Sequence, residues 1–524
     1  MKQKLPEINT IHHLIKNTTS KYPENIFLIS KNSQDEIEEL KYAELLNLVH
    51  KFEDYFESIG VQSGEKISVA YHNSAILAIL FLCITASGRV FVPLNPNSTT
   101  FEMEYIIEDS NSCILFDGIE IGKRLSQHVH DKMKIIELIS LKELIIFLQS
   151  FQNKNKNNTI LPTTEAEIVY TSGTTGRPKG VVLTHENLLA DSFAISKSFD
   201  FNESDRFLTI CPLFHNSGQI STTLGAIWAG ARTTPVRAEF GLINFWNYIK
   251  DYKITWTLGM PTHINFLLER QIIKNNFILN NNTLKGIFCG GAKLEIEKQL
   301  QFEKIFYTPV YTNYGLTETT SFATCTPLNM SQSALGSVGV PLFINEVKIV
   351  NIQNRKCKVN EEGEIFIQGA NLFKHYINKQ EITDAKFIDG WFKTGDLGYF
   401  NEDGFLFIVD RIDNMILVGG ENVYPADIEN HVSCLEDVAE AIVTSIPHNI
   451  LGNEIILLYR LMEGKSASVS KWLQALSKFV VKFKLPTKFV NVDELNLTEI
   501  PKAPNGKILR HNIKVLINQH FNKI

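Results

Sequence analysis

The chain lacks paired cysteines. Its seven (Cys83, Cys113, Cys211, Cys289, Cys325, Cys357, Cys434) are scattered and odd in number, and none forms a Cys-x-x-Cys pair. That pattern argues against a disulfide framework and predicts reduced, mostly buried thiols in a cytoplasmic protein. Long apolar runs are also missing. The longest, Ala75 to Thr85, is about half of the ~20 residues a membrane span needs, so it reads as a buried helix. Met1 to Glu7 shows no apolar stretch of the secretory kind, and no export signal is expected. Positive charge is not in excess: 51 Lys and Arg face 57 Asp and Glu, a net charge of -6. This gives no electrostatic case for nucleic acid or an anionic membrane surface as partner. There is no internal repeat. What remains is ordinary globular composition, 44% hydrophobic and 21% charged over 524 residues, enough for two or more domains.

Helical and extended patterns alternate along the first part of the chain. Glu38 to Gly60 reads as an amphipathic helix and Lys66 to Ala70 as a strand. The Ala75–Ala86 helix and a short strand from Val90 to Leu94 follow. Such alternation predicts an α/β domain with largely parallel sheets. The polar stretch Gln152 to Asn158 reads as a loop. Further on, Glu364 to Gly369 and Gly404 to Asp410 read as strands of a β-rich subdomain. From about Met415 the pattern becomes a small α/β unit. The charged segment Asp410-Arg411-Ile412-Asp413-Asn414 between two ordered strands fits a hinge and a plain turn equally well.

The most specific segment is Tyr170-Thr171-Ser172-Gly173-Thr174-Thr175-Gly176-Arg177-Pro178-Lys179-Gly180. Ile168 to Tyr170 reads as the end of a strand, and Thr184 as the N-cap of a helix beginning at His185. Glycines let backbone N–H groups approach phosphate oxygens without a Cβ in the way. The hydroxyls add neutral donors and the lysine a mobile positive charge, so the loop reads as a polyphosphate grip. It is not the P-loop of NTPases, which needs Gly-Lys-Ser/Thr adjacency. Here Pro178 precedes Lys179 and Gly180 follows it.

Four more groups can carry chemistry. In Asn313-Tyr314-Gly315-Leu316-Thr317-Glu318-Thr319, Tyr314 can lie against a base and Gly315 permits close backbone approach. Thr317 can donate to a phosphate, and Glu318 is a hard oxygen ligand suited to Mg²⁺. In Trp391 to Gly398, Asp396 can accept from both hydroxyls of a ribose, and Arg411 supplies a fixed donor fork. Leu417 to Glu429 pairs the glycines Gly419 and Gly420 with a helix opening near Pro425, a first-turn position that proline tolerates. Pro501 to Arg510 places Lys507 on a Pro/Gly-rich loop.

In order and wording these five motifs resemble those of the acyl-adenylate-forming superfamily, over essentially the whole chain. The resemblance implies a large N-terminal α/β domain (residues 1–411) of two mixed or parallel subdomains plus a β-rich subdomain. A small mobile C-terminal α+β domain (412–524) would follow, hinged near Asp413. It implies activation of a carboxylic acid by ATP and Mg²⁺ to an acyl-AMP, with pyrophosphate released. Thr171, Ser172, Gly173, Thr174, Thr175, Gly176 and Lys179 would hold the β- and γ-phosphates. Gly291, Ala292, Asn313 and Tyr314 would frame adenine. Thr317 would bind the α-phosphate, Glu318 the metal, and Asp396 the ribose with Arg411 beside it. Lys507 would serve the adenylation step. After rotation about the hinge, Gly419 and Gly420 would line a tunnel for pantetheine.

The Gly-Gly-Glu-Asn-Val-Tyr-Pro wording resembles the branch that transfers the acyl group to coenzyme A. The alternative is a stand-alone enzyme loading a carrier-protein phosphopantetheine. A non-catalytic nucleotide-binding relative is disfavoured by Lys179, Glu318, Asp396 and Lys507 occurring together. The acyl pocket falls on His215, Asn216, Gln219, Gly290 and Leu316. Amino-acid-activating members place an aspartate near this point. Phe214-His215-Asn216 carries no acid, which argues against an α-amino acid. Asn216 suits a hydrogen bond to an aryl hydroxyl, and equally the continuation of a helix in a fatty-acyl ligase.

Overall fold

The computed structural model describes residues 5–31, 36–152, 160–171, 178–270, 282–329, 332–418, 421–448, 451–478, 480, 482–502 and 508–522. The chain packs as two compact units. One comprises Met1–Val347 with Ile367–Phe392, the other Lys348–Phe366 with Lys393–Ile524. Asp413, the expected hinge, therefore lies inside the second unit.

The first unit holds two large sheets. A seven-stranded sheet runs in the order His375–Tyr376, Lys179–Thr184, Glu165–Thr171, Val90–Leu94, Lys66–Ala70, Ile114–Asp117, Lys134–Glu137. Its strands are parallel from Glu165–Thr171 to Lys134–Glu137, and the Lys179–Thr184 and His375–Tyr376 pairings are antiparallel. A nine-stranded sheet has a parallel centre, from Ile26–Lys31 to Val310–Tyr314, with antiparallel edges. Val90–Leu94 and Ile114–Asp117 are buried at every residue, as strands covered on both faces must be. The helix Ala75–Ala86 is buried at all twelve residues. It is apolar all round and can only sit inside a core. It shares one hydrophobic cluster with residues of both sheets, among them Phe27, Leu28, Ile67 and Val69.

One expected boundary shifts. The helix read from Glu38 begins at Tyr42 and ends at Ser58, and Ile37–Lys41 is a strand paired antiparallel with Ile26–Lys31. The Glu44 carboxylate accepts from the Lys41 backbone N–H at 2.7 Å, which fixes the helix start. The strand state of the five preceding residues comes from a partner strand, a non-local cause that overrides helical patterning.

In the second unit, Val438–His448 and Gly452–Leu461 form a long antiparallel pair, and Lys488–Asn491 adds in parallel to the latter. Apolar residues of Pro425–Val432 and Val469–Leu476 join a cluster with this sheet. Ile513 and Ile517 of Arg510–Asn522 join a second one. Trp391–Phe400 pairs with Leu406–Arg411, placing Asp396 opposite Arg411. All seven cysteines are free. Among the described residues, no helix is long and apolar enough to cross a membrane.

Candidate functional site

Thr171 and Lys179 are the last facing pair of the antiparallel strands Glu165–Thr171 and Lys179–Thr184. The segment expected to grip polyphosphate thus runs between two paired antiparallel strands. Ser172, Gly173, Thr174, Thr175 and Gly176 lie outside the described residues, but both stems are defined. Beyond the second stem Thr184 caps the helix His185–Ser198. Its hydroxyl accepts from Asn187 N at 3.3 Å, while Asn187 Oδ1 accepts from Thr184 N at 3.0 Å, a reciprocal cap.

Asn313 and Tyr314 close the strand Val310–Tyr314, and Thr317 opens the 3₁₀ turn Thr317–Thr319. Leu316 N donates to Thr319 Oγ1 at 2.9 Å, tightening that turn. Gly315 is obligatory for a reason internal to the loop: a Cβ there would stand 1.6 Å from the Ser321 carbonyl oxygen. The close approach anticipated at Gly315 is made by the protein's own backbone. Gly290 faces Asn313, and a Cβ at Gly290 would meet Asn313 Oδ1 at 2.2 Å. Asn313 is buried, and its Nδ2 finds no hydrogen-bond partner among the described residues. A buried amide donor left open beside a glycine is the kind of group a ligand satisfies. Gly291 adopts φ +80° with open space where a side chain would project, and Ala292 is exposed.

Glu318 and Lys179 converge on a residue that sequence reasoning passed over. Tyr376 donates its phenol proton to Glu318 Oε1 at 2.6 Å, and Lys179 Nζ lies 5.5 Å from the centre of its ring. Asp191 and Asn371 were also missed. Asp191 is fully buried, and burial holds its carboxyl well above the usual range. Its Oδ2 accepts from Phe322 N at 3.0 Å. Asn371 Nδ2 donates to the carbonyls of Thr319 at 3.0 Å and Phe322 at 3.2 Å, and Thr320 Oγ1 donates to Asn371 O at 2.7 Å. Together they brace Thr320, which holds φ 62° and ψ -65° with Ser321 N donating to Thr319 O at 2.7 Å. That is a γ-turn of the strained hand, centred on a β-branched residue.

Of the residues expected to line the acyl pocket, Asn216 and Gln219 sit on an irregular helix, with His215 just before it, while Gly290 and Leu316 lie elsewhere, after Gly286–Cys289 and before Thr317–Thr319. Asn216–Gly218 is one helical turn, and Gln219–Leu224 continues as a π-helical turn, a feature frequent at functional sites. Ser221 and Thr222 hydroxyls donate back to the carbonyls of Ser217 and Gly218, each at 2.7 Å. Asn216 is buried, with Nδ2 unpartnered among the described residues. Gln219 Nε2 donates to Leu213 O at 2.7 Å. The His215 ring packs 4.8 Å from Phe214, and desolvation pushes its pKa down to about 4. It is neutral at pH 7. Glu167, on the strand leading to the loop, is fully buried beside Gln219, and burial pushes its carboxyl up to about 8.

In the second unit, Arg411 Nε lies 3.3 Å from Asp396 Oδ1, and Asp396 is 4% exposed. Thr394 Oγ1 accepts from Asp396 N at 3.0 Å. Backbone N–H groups of Arg411 (2.6 Å) and Ala426 (3.0 Å) and the Asn414 amide (3.0 Å) all donate to Asp410. This carboxylate ties the 3₁₀ turn Ile412–Asn414, which contains Asp413, to the start of the helix Pro425–Val432. Gly419 and Gly420 lie outside the described residues, between the paired strands Ile416–Val418 and Glu421–Val423. So does Lys507, between Lys502 and Ile508, which form an antiparallel bridge.

A model of the AMP-binding enzyme family matches residues 15–377. The chain belongs to the AMP-binding enzyme family. Among its relatives is the oxalate–CoA ligase of Arabidopsis thaliana, 30% identical over 98% of this chain and 99% of that protein. Another is the 2-succinylbenzoate–CoA ligase of Bacillus subtilis, 29% identical over 94% and 95%. The fold of this AMP-binding enzyme superposes on o-succinylbenzoate CoA synthetase from Bacillus subtilis in complex with its acyl-adenylate intermediate. The TM-score is 0.82 and the identity 27%, covering 96% of this chain and 97% of that one.

Proposed function

We propose that this protein activates a small carboxylic acid bearing a second polar group, making an acyl-adenylate from ATP and then a coenzyme A thioester. In kind it is an AMP-forming acid–thiol ligase. The CoA ligases among its relatives match it over nearly their whole length, and they do not favour carrier-protein loading. The observation that carries the site is the convergence of Lys179 and Glu318 on Tyr376. It brings a cation suited to phosphate and a hard oxygen ligand suited to Mg²⁺ to one side chain.

A carboxylate, with a pKa of ~4, is already ionised at pH 7 and needs no general base to attack the α-phosphorus of ATP. The demand is suppression of repulsion between anions and stabilisation of charge on the phosphoryl oxygens. Lys179, with Thr171 and the glycine- and hydroxyl-rich residues that follow it, would hold the β- and γ-phosphates. Thr317 would donate to the α-phosphate, and Asn313 with Gly291 would receive adenine. Asp396 and Arg411 would serve the ribose. Among the described residues no cluster of three or more His, Cys, Asp or Glu could hold a metal. A single carboxylate completed by substrate phosphates and water nonetheless fits Mg²⁺, and Glu318 is that carboxylate. The ion would neutralise charge on the phosphates.

Lys507 would act in adenylation and leave the site when the chain turns about Asp413. Gly419 and Gly420 would then admit pantetheine. Neutral His215 would supply no charge to the acid. The buried Asn216 Nδ2, unpartnered among the described residues, supports an acid with a second acceptor over a plain fatty chain. The relatives named for oxalate and 2-succinylbenzoate agree with that reading. A pyrophosphate-release screen over oxalate, aryl, keto and fatty acids, with and without coenzyme A, tests it. Preference for an unsubstituted fatty acid would overturn the assignment of acid class, and absence of any CoA-dependent thioester would overturn the acceptor.

A further inference from the structure

The strand His375–Tyr376 lies antiparallel on Lys179–Thr184, with Tyr376 opposite Val181. Ile377 N donates to Gly180 O and Lys374 N to Val182 O, each at 2.9 Å, which locks that register. Residues two apart on a strand share a face, so Lys179 is the diagonal neighbour of Tyr376. The contact between its ammonium and the ring follows from the pairing. The chain just before Tyr376 is also tied to the Glu318 turn, since Phe373 N donates to Glu318 O at 2.8 Å. Tyr376 is 2% exposed, which shields the phenol end of its bond to the partly buried Glu318 carboxylate.

We propose that Tyr376 is a positioning residue for the adenylation step. Its hydroxyl fixes the orientation of the Glu318 carboxylate, and its ring face steadies Lys179. One buried side chain thereby sets the spacing between the metal-binding acid and the phosphate-binding cation. A glutamate and a lysine both lose rotamer freedom when ordered, and Tyr376 orders both before substrate arrives. A carboxylate has acceptor capacity for a phenol and a cation together. The proposal rests on the roles given to Glu318 and Lys179 above.

Tyr376→Phe removes the hydroxyl and keeps the ring, while Tyr376→Leu removes both. The primary measurement is calorimetric binding of ATP without acid, with and without Mg²⁺. The secondary one is the Mg²⁺ dependence of pyrophosphate release. Tyr376→Phe should weaken MgATP binding about tenfold, the scale of one hydrogen bond to a charged group, and leave metal-free ATP binding and the KM for acid unchanged. Tyr376→Leu should weaken metal-free ATP binding as well. In a Glu318→Ala background, Tyr376→Phe should add nothing. The proposal is overturned if Tyr376→Phe binds MgATP normally while Glu318→Ala does not, if its effect persists without Glu318, or if both forms of ATP and the acid are affected alike, as general loosening would do. If Glu318→Ala itself keeps normal MgATP binding and turnover, it is the metal role of Glu318 that falls.

Discussion

Gly290→Ala tests the adenine end of the site without touching a charged group. The added Cβ would stand 2.2 Å from Asn313 Oδ1, 2.8 Å from its Cγ and 3.0 Å from its Nδ2. All three are atoms of a side-chain tip, so the carboxamide can swing aside while the strand Val310–Tyr314 stays in place. The consequence is loss of aim more than loss of fold. Asn313 Nδ2 is buried and has no partner among the described residues, and a neutral hydrogen bond made there contributes about 0.5–1.5 kcal/mol. That corresponds to roughly a 2- to 12-fold rise in the KM for ATP. The assay is pyrophosphate release at saturating acid and varied ATP. Asn313→Ala should show a similar rise, and adding Gly290→Ala to it should cost nothing further, because the obstructed atoms are gone. An unchanged KM in Gly290→Ala, or an equal added loss in the Asn313→Ala background, would refute the reasoning.

Lys507→Ala should abolish acid-dependent pyrophosphate exchange, by roughly 10²–10³-fold, yet still convert a supplied acyl-adenylate to thioester; normal exchange would remove Lys507 from the mechanism. Asp413→Pro, which fixes φ in the Ile412–Asn414 turn, should slow thioester formation more than adenylation, and equal loss in both would mark a structural turn. Glu167→Gln bears on stability. With its carboxyl at about 8 in the folded chain and in the usual range when unfolded, the folded state holds a proton the unfolded chain releases. Stability therefore falls as pH rises from about 4 to 8, and the amide should flatten that slope. Thermal midpoints of both proteins at pH 5 and pH 8 check this, and parallel pH profiles would contradict it.

Much of the architecture was legible because local patterns and global fold agree. Ala75 to Ala86 is apolar on every face, Val90 to Leu94 is apolar along its length, and Thr184 carries a hydroxyl at a helix start. Each of these needs no knowledge of a partner. Ile37–Lys41 was not legible for the converse reason. Its burial alternates weakly, and its state depends on Ile26–Lys31. The π-helical turn at Gln219–Leu224 was equally hidden. It comes with hydroxyls bonding back to Ser217 and Gly218 and with the proximity of Gly218 to the Cys211 carbonyl, where a Cβ would stand at 3.0 Å.

The site divides along the same line. Glu318, Thr317 and Lys179 stand in motifs whose residue types announce their chemistry. What holds them does not. Tyr376 meets Lys179 only through the register of an edge strand, and Glu318 only through tertiary packing. Thr320 is the sharper case. A β-branched residue at positive φ in a γ-turn is disfavoured by about 1–3 kcal/mol, so Thr at that position argues locally against the conformation found. It persists because the turn is over-determined from afar. Asp191 contributes across 131 residues and Asn371 across 51. A single sequence shows the strained residue and its two braces as three unrelated positions. Folding joins them directly behind Glu318, where a fixed turn limits how far that carboxylate can wander from the phosphates it is proposed to serve.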